Sequence, residues 1–188
     1  APALLDVFIA DGRLCLATTA AAGKPLAAWL ELGKPIRLAD ALRVLRPAAD
    51  ALDCAHRGGL AHGALTPDRI LIGPNAAVTV EDFGLGLLFP AAGCDPAYMA
   101  PEQERGRALP QSDSYTFGVV FYEMLTGRHP FEGVNLQAMR LEMRYTPPAQ
   151  ALAVVPPKLD ALFAGLLAAD PALRRPVPGS LGAALDGL

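Results

Sequence analysis

The stretch from Ser112 to Gly127 constrains the fold more than any other part of the chain. Read as a helix, it carries Tyr115, Val119, Phe121, Tyr122, Met124 and Leu125 on nearly every face, with Ser112 placed to cap its start and Gly127 its end. A helix that is apolar all round must be enclosed, so the remaining chain has to supply packing layers on every side of it. With 188 residues there is enough chain for one such unit and too little for two comfortable ones.

The rest of the pattern divides into a short β region, a second helix and a loop-rich middle. Two apolar runs, Leu4 to Ala10 and Leu14 to Thr19, flank Asp11-Gly12-Arg13, which is turn chemistry between the strands of a hairpin. Leu38, Ala41, Leu42, Leu45, Ala49, Leu52 and Ala55 then recur at three- and four-residue spacing, predicting an amphipathic helix that stops before Gly58-Gly59. Pro47 falls inside it, where a lost hydrogen bond and a ring clash cost roughly 3 kcal/mol, so a kink or strong compensating contacts are expected. Short β pieces at Ile70 to Ile72 and Val78 to Val80 sit between Pro and Gly breaks. Further helices are predicted around Leu136 to Arg144, Leu159 to Ala168 and Ser180 to Leu185.

Charge and cysteine usage exclude several functions. The formal net charge of −3 leaves no basic excess to neutralise a nucleic-acid backbone or an anionic membrane, and no apolar run is long enough to cross a bilayer. Cys15, Cys54 and Cys94 are far apart and odd in number, which supports neither a disulfide framework nor a zinc site and points to a reducing cytoplasm. The opening Ala-Pro-Ala-Leu-Leu has no initiator Met and no signal-like segment, so the chain is expected to be processed or cut from something longer.

Five motifs then stand in one order. Leu60-Ala-His62-Gly63-Ala64-Leu65-Thr66-Pro67-Asp68-Arg69-Ile70-Leu71-Ile72 resembles the catalytic loop of protein kinases, and Asp82-Phe83-Gly84 follows. Tyr98-Met99-Ala100-Pro101-Glu102-Gln103 is similar to the Ala-Pro-Glu segment of bacterial serine/threonine kinases. Ser112 through Phe131 resembles the central helix of the lower lobe, and Asp170-Pro171-Ala172-Leu173-Arg174 the motif whose Arg closes on the Ala-Pro-Glu carboxylate. The resemblance implies an α+β, protein-kinase-like fold. Residues 1–22 would form a β-hairpin and hinge belonging to the upper, N-terminal lobe, and residues 23–188 a mainly helical lower, C-terminal lobe. It begins in the middle of the family's domain, so the glycine-rich loop, the strand lysine and its glutamate partner are expected upstream in a parent chain, or lost.

The resemblance also shows where chemistry is missing. Ala64 stands where the family has the Asp that orients the substrate hydroxyl and accepts its proton, and a methyl group does neither. Thr66 replaces the lysine that contacts the transferred phosphate, and Arg69 puts a cation where an asparagine ligates magnesium. Thr18, Leu71 and Asp82 remain as candidate nucleotide contacts, with Asp82 the one surviving metal ligand. Because Arg69 is expected beside it, Asp82 reads better as a carboxylate that caps its own loop. His62 is expected to pack and hydrogen-bond in the core, and His56 and His129 to lie at the surface or in loops. Glu102 with Arg174 is expected as a buried bidentate ion pair, and Asp113 as the helix-start Asp that holds the catalytic-loop backbone. Tyr98 is the one hydroxyl between Phe83 and Ala100, and Asp95 stands where the family usually has a threonine, so switching by phosphorylation of this segment is not expected. Met139 and Met143 are assigned to one core-facing helix side.

These departures favour a pseudokinase: catalytically inert, acting by binding or regulating a protein partner, with no nucleic acid and no membrane engaged by this segment. The family's cofactors, ATP and magnesium, are implied by the resemblance and opposed by the altered positions, so none is assigned. The alternatives are an active serine/threonine protein kinase completed by upstream sequence, and a nucleotide sensor built on Thr18, Leu71 and Asp82.

Overall fold

The chain opens with an antiparallel hairpin, β1 (Leu4–Ala10) and β2 (Arg13–Thr18), whose turn residues Asp11 and Gly12 both take positive φ, 49° and 72°. That is the turn geometry whose twist matches two paired strands. In this computed structural model, which describes residues 2–88, 95–152 and 155–188, the hairpin forms a sheet of its own and every residue of β1 is exposed. A second sheet, in the order β3 (Lys24–Pro25), β4 (Ile70–Ile72) and β5 (Val78–Val80), is antiparallel throughout. Between β3 and β4 come α1 (Ala27–Leu30) and α2 (Leu38–Arg57). After β5 follow α3 (Leu85–Leu88), α4 (Pro110–Thr126), α5 (Leu136–Leu141), α6 (Pro148–Ala151), α7 (Lys158–Leu166) and α8 (Leu181–Ala184). The architecture is α+β, with the helices carrying the core.

The enclosed helix is α4. Its residues from Ser112 to Tyr122 are all buried, as are Met124 and Leu125. Leu45 and Leu52 of α2 and Phe163 and Leu166 of α7 pack into the same core, with the rings of Phe121 and Phe163 5.0 Å apart. Gly118 makes that approach possible, because a Cβ there would come within 2.8 Å of Leu166 Cβ. The helix ends at Gly127 in the left-handed region, φ 68°, and its backbone meets Gly33, so both the conformation and the space require glycine.

Three expectations need correction. Ser112 is not the N-cap of α4: Leu109 holds that place, Pro110 begins the helix, and Ser112 sits inside the first turn with its hydroxyl accepting from Leu109 N at 3.1 Å. Proline at the first helical position explains the earlier start, since its missing N–H would be unpaired there in any case. Helix α5 stops at Leu141, and Met143 lies beyond it with φ 51°, so Met139 packs against the core without sharing a helical face with Met143. His56 is buried on α2 rather than at the surface, because it continues the inward stripe of Leu45, Ala49 and Leu52. Pro47, in contrast, is tolerated within α2: the proline is exposed, and the carbonyl it leaves without an N–H belongs to Arg43, also exposed.

Candidate functional site

The loop between α2 and β4 is fixed from below by one carboxylate. Asp113 Oδ1 accepts from Gly63 N at 2.8 Å, and Oδ2 accepts from His62 N at 2.7 Å and from His56 Nε2–H at 2.8 Å. All of these groups are buried, so the first turn of α4 anchors the loop that contains Ala64. His62 is fully committed. Its Nε2–H donates to Glu81 O at 2.7 Å, which leaves Nδ1 as the acceptor facing Ala64 N at 3.4 Å. Burial, the largest influence, holds its pKa below the ordinary histidine range, with Arg69 adding to that effect and Asp113 opposing it. A neutral imidazole with both nitrogens engaged ties the loop to the residue that follows β5 and is not available as a base.

Above the loop the altered positions meet. Arg69 Nε donates to Asp82 Oδ2 at 3.3 Å, and Arg69 Nη1 donates to Ala64 O. Asp82 adopts φ 62°, a left-handed conformation that aspartate tolerates better than most residues. One guanidinium thus bridges the two positions where the resemblance implies a carboxylate and a metal ligand. Thr66, Asp68, Arg69, Glu81, Asp82 and Asp95 line a polar cavity of about 320 Å³ here. The donor set does not fit a divalent cation, because Asp82 is already paired with a fixed cation. Among the described residues no group of three or more His, Cys, Asp or Glu could hold a metal.

Thr18 and Asp82 come to a common cavity of about 360 Å³, walled by Leu4, Leu16, Phe83, Leu85 and Leu88. Leu71 does not join them. It is buried in β4, opposite Pro25 and Thr79. Of the three candidate nucleotide contacts, the structure therefore gathers two.

Glu102 and Arg174 meet in the interior, with Arg174 Nη1 to Glu102 Oε1 at 2.5 Å and Nη2 to Oε2 at 2.7 Å. Ser112 Oγ donates to the same Glu102 Oε1 at 2.6 Å, and the guanidinium also lies 4.9 Å from the Tyr115 ring centroid. Sequence reasoning missed two neighbouring anchors. Buried Arg140 of α5 donates to Glu104 Oε1 at 3.0 Å and to the carbonyls of Pro96 and Ala97, and Tyr98 Oη donates to Glu123 Oε2 at 2.7 Å. Burial pushes the pKa of both Tyr98 and Glu123 upward. Together these bonds fasten residues 95–98 to α4 and α5. His129, expected in a loop, does lie between α4 and α5, but it is partly buried, with its ring edge-on to Tyr98 at 5.4 Å. Cys94 and the adjoining part of the segment after Asp82 fall outside the described residues.

Arg69→Asn removes the internal cation and frees Asp82. The variant is expected to bind magnesium measurably in isothermal titration, where the parent gives no saturable heat. Equal magnesium binding by both proteins would show that the guanidinium does not occupy the metal's place.

No helix among the described residues is long and apolar enough to cross a membrane. Residues 3–179 match the family described as the protein kinase domain. The serine/threonine-protein kinase PknL of Mycobacterium tuberculosis is 38% identical over 157 residues, which is 77% of this chain and 39% of that protein. Pkn1 of Myxococcus xanthus is 38% identical over 154 residues, 74% of this chain and 22% of the relative. PknA of Mycobacterium tuberculosis is 34% identical over 161 residues, 81% and 37% respectively. The chain thus spans about two fifths or less of the length of these relatives.

Proposed function

The chain belongs to the protein kinase family, and from that premise we propose that it is an inert member, a pseudokinase that acts by holding a protein partner. The observation that carries this reading is Ala64, buried in the loop where phosphoryl transfer needs a carboxylate, with Arg69 bonded to its carbonyl and to Asp82. A transfer site of this family needs a group to orient the acceptor hydroxyl, a positive contact to the moving phosphate and a held metal. Here the corresponding side chains are a methyl, a hydroxyl and a guanidinium. What the sequence keeps is the framework: the Asp113 anchor, the ion pair of Glu102 with Arg174, and the bolted segment 95–98. These hold a surface in shape without requiring turnover, which suits a binding role.

The second reading, an active serine/threonine kinase, is favoured by the 38% identity to PknL. It requires another group to do the work of the missing carboxylate. Radiolabelled ATP with the full-length protein and a generic protein substrate separates the two. The inert reading expects label at background and a protein that co-purifies with the chain. Label above background that disappears on Asp82→Ala would overturn it.

A further inference from the structure

The loop that joins α4 to α5 carries two charged side chains of opposite sign. Arg128 and Glu132 are both exposed, and among the described residues neither side chain takes part in an ion pair or a hydrogen bond. Arg144 beside them is, in contrast, paired with Glu142 at 2.7 Å. Arg128 and Glu132 line one cavity of about 530 Å³, whose walls include Tyr122, Pro130, Met139 and Tyr145. Two positions further on stands Val134, fully exposed and more so than any other large apolar residue described. Gly133 sets it there, with φ 154° and its backbone so close to Met139 that a Cβ would lie 3.1 Å from the sulfur.

The cavity is already in shape. Tyr122 Oη donates to Thr146 O at 2.8 Å, and the Tyr145 ring stands edge-on to Tyr122 at 6.0 Å and to Phe131 at 5.9 Å. Arg128 N donates to Thr126 Oγ1 at 3.2 Å and His129 Nδ1–H to Phe131 O at 3.0 Å, which fixes the loop between the two charges. A surface held in this way loses little freedom on binding.

The charges say what fits it. A partner surface of one sign would satisfy either Arg128 or Glu132 and meet the other as a like charge. A second copy of the same loop, turned about a twofold axis, offers an anion to Arg128 and a cation to Glu132 together, because every contact in such an interface is made twice. The same arrangement gives the uncovered valine an aromatic-walled cavity to enter.

We infer that residues 128–134 form a self-association surface. Two copies of the chain pair about a twofold axis, with Arg128 of each facing Glu132 of the other and Val134 of each entering the other's cavity beside Tyr145 and Met139. The pairing does not depend on whether the chain transfers phosphate, and its test reads mass and not label.

Sedimentation velocity of the full-length protein over about 1–100 µM covers the range in which a small interface associates. The parent is expected to pass from one chain to two. Arg128→Glu sets carboxylates against carboxylates and Glu132→Arg sets guanidinium groups against each other, so each variant alone should dimerise about tenfold or more weakly. Both positions are exposed, so the thermal melting midpoints should stay at the parent's value. Mixed in equal amounts, the two variants should recover the dimer, since each then meets the opposite sign. A parent that remains a single chain throughout, reversals that leave its association unchanged, or a mixture no more associated than its components would overturn the pairing.

Discussion

Glu102→Ala is expected to lower the unfolding free energy by about 3–5 kcal/mol, the usual cost of removing one partner from a buried ion pair. The size follows from what remains. Arg174 is 1% exposed and its charge has no route to solvent, so the stranded guanidinium keeps only neutral partners: the carbonyls of Gln111, Ala168 and Ala169 and the face of Tyr115. Ser112 Oγ loses its acceptor as well, and with it the link between the first turn of α4 and residue 102. Glu102→Gln keeps one acceptor oxygen, which Ser112 Oγ and Arg174 Nη1 can share as they share Oε1 now, while removing the charge and turning an NH2 toward Arg174 Nη2, so it should fall between the parent and Glu102→Ala. Urea denaturation followed by circular dichroism gives all three values. A Glu102→Ala variant within about 0.5 kcal/mol of the parent, the range of an ordinary surface change, would mean that the pair holds nothing together.

The pair was legible in the sequence because both residues belong to motifs, and so were the elements whose boundaries are set locally. Ile70 to Ile72 and Val78 to Val80 are separated by Gly73-Pro74, which ends a strand whatever it packs against, and both appear as β4 and β5 with those bounds. The α4 helix was legible because its apolar residues cover every face, and only its start moved. What stayed hidden depends on partners distant in sequence. His56 looks like a polar residue near a helix end, and its burial follows from Asp113, which lies far along the chain. The signal was present, since His56 sits four residues after Leu52 on the inward stripe. Arg140 had no such signal: a single arginine on a short helix reads as solvated until Pro96 and Ala97 present their carbonyls to it. Likewise Leu85 to Leu88 reads as loop, because one turn of helix containing Gly86 has poor intrinsic propensity and is held by its contact with Gly63.

The burial of Ala64 bears on the simplest repair of the site. Loss of a general base alone commonly removes about 10²–10⁴ of rate, so a family member lacking nothing else should regain that factor when the carboxylate is restored. Ala64→Asp in the full-length protein is expected to regain none of it, with label from radiolabelled ATP staying at background. Four features stand in the way after the change. The new carboxylate would start from a position 3% exposed, walled by Asp95, Tyr98 and Gln103. Arg69, already bonded to Ala64 O, would pair with the new carboxylate, leaving a neutralised group where a free acceptor is needed. Thr66 still offers no positive charge to the phosphate, and Asp82 still faces a guanidinium at 3.3 Å. A base acts only when the acceptor hydroxyl lies within hydrogen-bond reach of it and the phosphate is held in line, and restoring one side chain supplies neither condition. Transfer by Ala64→Asp at 10² or more above the parent would show that the framework was poised for catalysis and that one methyl group alone kept it silent.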